Sequence, residues 1–81
     1  FDVFRKGENI LDSFSHIYFS QMLLRYRLLK NLTQEDLADI LHCSDRCIQK
    51  WEAGESIPRA DKLFRIAKAL GVSSDTLLGL E

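Results

Sequence analysis

The chain has 81 residues, of which 46% are hydrophobic and 28% charged, and its formal net charge is −1. This length suits one small globular domain and leaves no room for a second. No segment approaches the roughly 18 apolar residues of a membrane span, and the N-terminus lacks a charged-then-apolar secretory pattern. A cytoplasmic location is therefore the default expectation. The chain begins at Phe1, which also fits a piece of a longer protein.

The first predicted helix carries apolar residues on two opposite sides. One stripe consists of Phe19, Leu23 and Tyr26, and we expect it to pack on Leu37, Leu41, Ile48 and Trp51. The opposite stripe, where a surface helix is normally polar, consists of Ile17, Leu24 and Leu28. The apolar residues available to cover it are Phe1, Val3, Phe4, Ile10, Leu11 and Phe14. We therefore predict that residues 1–14 form an extension packing on helix one or on a partner, and that residues 15–81 form the main domain.

Two short helices with almost no chain between them are predicted over residues 33–42 and 44–53. Thr33 and Ser44 are placed to cap the first turns of helices two and three. Cys43, just before the second cap, can pack against Ile48 as a hydrophobic staple. Gly54 closes helix three, and Pro58 prevents its continuation. So tight a pair holds its second helix out from the body of the domain.

Two further helices complete an all-α prediction. Apolar residues at helical spacing form the fourth helix and are Leu63, Ile66, Ala67 and Leu70. Pro58 and Arg59 open this helix, and Gly71 closes it. Ser73 can cap a last short helix that ends before Gly79. The sequence thus predicts five helices and no strand.

These spaced residues resemble the helix-turn-helix domain of the phage repressor, Cro and Xre family. The matching positions are Leu32 to Ala38, Ser44, Ile48, Trp51 to Gly54, Pro58, Leu63, Ile66, Ala67, Leu70 to Ser73, Leu77 and Leu78. The resemblance covers roughly residues 19–79. It implies a five-helix, lambda-repressor-like fold that binds double-stranded DNA through helix three, with an additional N-terminal segment.

Helix three supplies the candidate base-reading residues. Its periodicity turns Ile48 and Trp51 inward and leaves Asp45, Arg46, Gln49 and Lys50 outside. By resemblance, bases are contacted from the positions of Asp45, Arg46 and Lys50, with Ser44 and Gln49 nearby. Arg46 can bind a guanine edge, Lys50 a guanine or phosphate, and Asp45 a cytosine amine.

Other positions match the family in framing roles. Gln34 looks like the family's phosphate-contacting glutamine, and Thr33 can join it through its hydroxyl or backbone amide. Arg59 matches a position that approaches the backbone or minor groove. Arg27 and Glu52 match a pair that joins helices one and three, which we assign to structure.

Two departures from the family affect this site. His42 occupies a usual glycine position, so we expect a non-glycine residue at positive φ in the turn. Ala53 replaces a polar residue that often contacts phosphate. Residues 33–60 hold three cations against six carboxylates, a balance of −3. We therefore predict weak monomer affinity, a shallow salt dependence and a homodimer on two half-sites.

Three functional classes follow. The leading one is a sequence-specific transcriptional regulator, a repressor that binds a near-palindromic operator as a homodimer. The second is an antitoxin-like or other protein-interaction module in which DNA binding is secondary. An enzyme or metal protein fits less well, because Cys43, Cys47 and His42 lack a second ligand pair and no nucleophile motif occurs. We expect two reduced thiols and no cofactor.

Overall fold

The computed structural model describes residues 10–79, with side chains from residue 16 onward. It contains five helices, which are α1 (Ile10–Leu29), α2 (Gln34–Leu41), α3 (Asp45–Glu52), α4 (Ala60–Leu70) and α5 (Ser74–Leu78). No strand occurs within residues 10–79. The predicted all-α order of five helices is confirmed.

Helix α1 begins at Ile10, four residues before the predicted end of the N-terminal extension. The predicted boundary between residues 14 and 15 therefore lies inside a continuous helix, and the division into an extension and a main domain stays a prediction. The helix is continuous because nothing in residues 10–15 interrupts it, since this stretch contains no glycine or proline. Residues 1–9 lie outside the described residues, so the covering role given to residues 1–14 stays a prediction.

One hydrophobic core joins the helices. Its fully buried large side chains are Phe19, Leu23, Leu37, Leu41, Ile48, Ile66, Leu70 and Leu77. Trp51 is also buried, and Tyr26 packs against the cluster while remaining partly exposed. The predicted inward stripe of α1 is therefore confirmed. The opposite stripe is exposed, with Ile17 at 54%, Leu24 at 40% and Leu28 at 58% accessibility.

The start of α2 is fixed by a reciprocal pair of hydrogen bonds. The Thr33 hydroxyl accepts from the Asp36 backbone N–H at 2.9 Å, and the Asp36 carboxylate accepts from the Thr33 N–H at 2.9 Å. This capping box satisfies two amides that the helix itself leaves without partners. The predicted Thr33 cap is confirmed.

The turn between α2 and α3 passes through His42 in the left-handed region, at φ 57° and ψ 45°. The Cys43 N–H then donates to the Ala38 carbonyl at 3.0 Å, which closes α2. Positive φ at His42, expected from the missing glycine, is confirmed. The end of α2 receives a further bond that the sequence did not indicate, from Lys62 Nζ to the Leu41 carbonyl at 2.7 Å.

Ser44 precedes α3 with extended backbone angles, but its side chain does not cap the helix. Its hydroxyl instead donates to Cys47 Sγ at 3.6 Å. Ser44 is therefore the N-cap residue, as predicted, but the expected capping hydrogen bond is absent, because the side chain is turned so that its hydroxyl meets the Cys47 thiol. At the other end, Gly54 takes φ 77° and the Glu55 N–H donates to the Lys50 carbonyl at 3.0 Å, as expected for a glycine-closed helix.

Candidate DNA-binding surface

The outer side of α3 is a continuous polar face. Ile48 and Trp51 are buried in the core, which fixes the rotation of the helix. The side chains that point to solvent are Asp45, Arg46, Gln49 and Lys50. None of these four has a hydrogen bond or ion pair to another of the described residues. Their polar groups are therefore available to a ligand without breaking an internal contact.

An open groove of about 350 Å³ lies along this face. It is lined by Arg46, Gln49, Lys50, Ala53 and Glu55. Two cationic groups and one amide can donate hydrogen bonds into it, and Gln49 can also accept. Glu55 is the only acidic residue of this lining, so an anionic ligand is favoured at the Arg46 and Lys50 end. The small Ala53 side chain supplies no donor to this lining.

A buried ion pair ties α3 to α1. Arg27 Nε lies 2.5 Å from Glu52 Oε2, and Arg27 Nη2 donates to Glu52 Oε1 at 3.1 Å. The two side chains are only 10% and 8% exposed. A third guanidinium N–H, on Nη1, donates to the Leu32 carbonyl at 2.8 Å, just before α2. The predicted structural pair is confirmed, and it also holds the segment that leads into α2.

Gln34 belongs to the same network, which the sequence did not reveal. Its Nε2 donates to Glu52 Oε1 at 2.9 Å. Because the Glu52 carboxylate only accepts, it fixes which end of the Gln34 amide faces it. The second N–H of the amide remains for another acceptor. Glu52 is thus shared between α1 and the first turn of α2.

Thr33 has fewer free groups than the sequence suggested. Its backbone N–H donates to the Asp36 carboxylate, so a phosphate contact through that amide would have to replace this bond, and the contact stays a prediction. The hydroxyl accepts the Asp36 N–H and still has its own proton to donate. The two hydrogen bonds from Thr33 also hold the pKa of the Asp36 carboxyl below its ordinary value of 3.8.

Arg59 is the residue that precedes α4, with extended angles of φ −66° and ψ 164°. Its side chain is exposed and makes no capping bond to the helix. Within the described part of the chain the guanidinium has no partner. Its proposed contact with the DNA backbone stays a prediction.

The two cysteines are free thiols, each partly buried against the core. The pKa of the Cys43 thiol is raised, mainly by burial and to a smaller extent by the neighbouring Cys47 thiol. Raised pKa keeps that thiol protonated and unreactive at neutral pH. Among the described residues, no group of three His, Cys, Asp or Glu side chains could hold a metal ion.

The formal charge of the region overstates its repulsion of DNA. Of the six carboxylates in residues 33–60, Glu52 is buried and paired with Arg27, which lies outside that range. The Asp36 carboxylate accepts the Thr33 N–H at the start of α2. The exposed field around α3 is therefore less negative than the balance of −3 indicates.

Comparison with known proteins assigns the family. The model of the helix-turn-helix family HTH_3 matches residues 23–77, more than half of the chain. The chain therefore belongs to this family, the Xre/Cro/C1 type of DNA-binding domain found in transcription regulators. The five helices agree with that fold, so both the predicted family and the predicted fold class are confirmed.

Two named relatives are regulators of opposite sign. The chain is 43% identical over 63 residues to the HTH-type transcriptional activator BcrR of Enterococcus faecalis, covering 78% of this chain and 31% of BcrR. It is 37% identical over 59 residues to the cryptic phage CTXphi transcriptional repressor RstR of Vibrio cholerae, covering 73% of this chain and 53% of RstR. The chain thus spans about a third of one relative and half of the other.

A solved structure shares the fold in a different setting. The hydroxypropylphosphonic acid epoxidase of S. wedmorenis matches with a TM-score of 0.74 at 28% identity, covering 79% of this chain and 34% of that chain. Most of the epoxidase lies outside the match, so the likeness concerns the domain and not that protein's chemistry. No helix in the described part of this chain is long and apolar enough to cross a membrane.

Proposed function

We propose that this domain binds duplex DNA with α3 in the major groove and regulates transcription from a near-palindromic operator. The observation that supports it most is the outer face of α3, where Asp45, Arg46, Gln49 and Lys50 are all exposed and have no internal partners. An α-helix fits the major groove, where side chains of these types can distinguish the four base pairs.

Each side chain has a definite role in this proposal. The Arg46 guanidinium binds the O6 and N7 acceptors of a guanine, and Lys50 binds a neighbouring guanine or a phosphate. Asp45 accepts from a cytosine amine and rejects bases that present acceptors there. Gln49 and Ser44 lie beside them and adjust the choice.

Contacts around α3 position the helix on the duplex. At one side, the free N–H of Gln34 and the Thr33 hydroxyl bind phosphates near the N-terminus of α2, whose dipole favours anions. At the other side, Arg59 approaches the backbone. These contacts fix register and orientation but read no sequence.

Few cations face the DNA, so we propose that two copies act together. A homodimer places two α3 helices in successive major grooves, with half-sites about 34–36 Å apart. We propose that the dimer represses transcription, because a compact dimer bound at a promoter excludes other proteins without needing further contacts. The domain itself supplies no catalysis in this proposal.

Selection of bound sequences from a random duplex pool tests the proposal. We expect a symmetric motif to be enriched at low salt, and Arg46→Ala and Lys50→Ala each to weaken binding about 10- to 100-fold, since a good base contact contributes ~1–3 kcal/mol. Arg25→Ala, which removes one exposed charge from α1, is the matched control and should keep the motif.

The alternative is a protein-interaction module, favoured by the exposed apolar residues Ile17, Leu24 and Leu28. If no sequence is enriched even at low salt, the DNA-binding proposal fails. In that case, Leu24→Ala should impair the domain's biological activity more than Arg46→Ala does.

A further inference from the structure

The exposed side of α1 has the spacing of a coiled-coil seam. Counting along the helix, steps of four and three residues alternate through Ile10, Phe14, Ile17, Gln21, Leu24 and Leu28. Five of these six residues are apolar. This is the repeat of 3.5 residues that keeps one stripe facing a second helix over several turns.

The described part of this seam faces solvent. Ile17, Leu24 and Leu28 are each at least 40% exposed, and Gln21 is exposed between them. The opposite face of the same helix carries Phe19 and Leu23, which are fully buried. Helix α1 therefore has its own core on one side and an uncovered apolar stripe on the other.

We propose that this seam pairs with the α1 seam of a second copy of the chain, and this is the interface of the proposed homodimer. The seam's positions contain no charged residue, so two copies can meet without burying like charges. The steps between seam residues are the same from either end of the helix. Two copies of the seam can therefore pair with each other, as a two-fold interface requires.

The available area sets the strength of the pair. A helix of 20 residues is about 30 Å long and about 10 Å wide, so two such faces cover roughly 600 Å² before side chains interdigitate. A stable interface buries about 1,200–2,000 Å². The seam therefore supports only weak association of free chains. The dimer forms fully on DNA, where two half-sites hold the copies next to each other.

Gln21 provides the sharpest test, because a polar residue in a seam weakens pairing while restricting its register. In sedimentation equilibrium of the full chain, Gln21→Leu should lower the dimer dissociation constant at least about tenfold. Leu24→Glu should raise it by a similar factor. Phe64→Glu, at an apolar position on α4 that is 63% exposed against 40% for Leu24, is the control and should leave the mass distribution unchanged.

The main competitor is the chain's own N-terminal segment, residues 1–9, lying along the stripe. In that case Gln21→Leu raises the melting temperature while the protein stays monomeric at every concentration, and the proposal is overturned. A Leu24→Glu variant that melts like the wild type but sediments as a monomer supports it. A dimer unchanged by both substitutions also overturns it.

The inference rests on the proposed function, and DNA binding separates the two. Leu24→Glu should bind a single half-site duplex as well as the wild type does, yet lose the cooperative gain on the full operator. Cooperative binding that survives Leu24→Glu refutes the seam alone. Absence of half-site binding by the wild type refutes the DNA-binding proposal and leaves the measured self-association to stand by itself.

Discussion

Helix α3 contrasts a buried C-terminal residue with an exposed outer face. Near its C-terminus, Glu52 is buried and accepts hydrogen bonds from both Arg27 and Gln34. On its outer face, the side chains of Arg46 and Lys50 are exposed and make no hydrogen bond or ion pair with any described residue. The buried end fixes where the helix lies, whereas the outer face keeps its hydrogen-bonding groups for a partner. In the proposed function, orientation of the helix and base reading thus fall to separate residues of one eight-residue helix.

The largest expected effect comes from removing the buried ion pair between Arg27 and Glu52. Arg27→Ala leaves the Glu52 carboxylate unpaired at 8% exposure and should cost about 3–5 kcal/mol of unfolding free energy. Urea denaturation measures it. Arg27→Met combined with Glu52→Leu should recover much of the loss, because no buried charge then remains. A cost for Arg27→Ala below about 1 kcal/mol is typical of a surface pair, and it would remove the distinction between the buried ion pair and the exposed outer face.

The outer face should respond in binding and not in stability. Arg46→Lys keeps the charge but loses the planar fork, so discrimination between the selected operator and a scrambled duplex should fall about 10- to 100-fold. The salt dependence and the melting temperature should stay unchanged. Fluorescence titrations at several salt concentrations measure this, with Arg25→Lys as the control. An equal loss on both duplexes would make Arg46 a phosphate contact.

The turn before α3 offers a smaller effect of opposite sign. His42→Gly relieves a non-glycine residue at φ 57° but gives the unfolded chain more freedom, for a net gain of roughly 0.5 kcal/mol. Thermal denaturation should show a melting point a few degrees higher. Asn31→Gly, at the same φ of 57°, should gain less because asparagine tolerates this conformation. Destabilisation by His42→Gly would mean that the imidazole contributes to the turn.

The smallest expected effect is a change in stability at low pH. Hydrogen bonds from Thr33 hold the pKa of Asp36 below 3.8, so the charged form stabilises the folded state. This contribution is present above the unfolded pKa and is lost as pH falls through the lower folded value. NMR titration of the Asp36 carboxyl should find the lowered pKa. Asp36→Asn should remove the corresponding step from the stability profile, whereas Asp39→Asn should retain it.

The sequence carried enough information for the backbone and less for the side-chain network. Helix limits, the buried stripe of α1 and the Thr33 cap depend on neighbours within a few residues, so spacing predicts them. Positive φ at His42 was predicted because the family that the sequence resembles usually has a glycine at this position. Bonds such as Lys62 to the Leu41 carbonyl span 21 residues and depend on how α4 packs, which local patterns do not encode.

Ser44 shows the limit even at short range. It is the N-cap residue, as predicted, but its hydroxyl is turned to the Cys47 thiol three residues away and makes no capping bond. The Gln34 amide was likewise assigned to phosphate alone, whereas one of its N–H groups donates to Glu52. In both cases the side-chain conformation selects the partner, and that conformation depends on the packed structure.

The absence of internal bonds from the outer face of α3 has an evolutionary consequence. Substitutions at Asp45, Arg46, Gln49 and Lys50 break no side-chain hydrogen bond or ion pair inside the described domain, so their cost in folding should be small. New operator preferences can therefore arise through a few point mutations at these four codons, without compensating changes elsewhere. The same property makes them a suitable set for a randomised library aimed at new target sites.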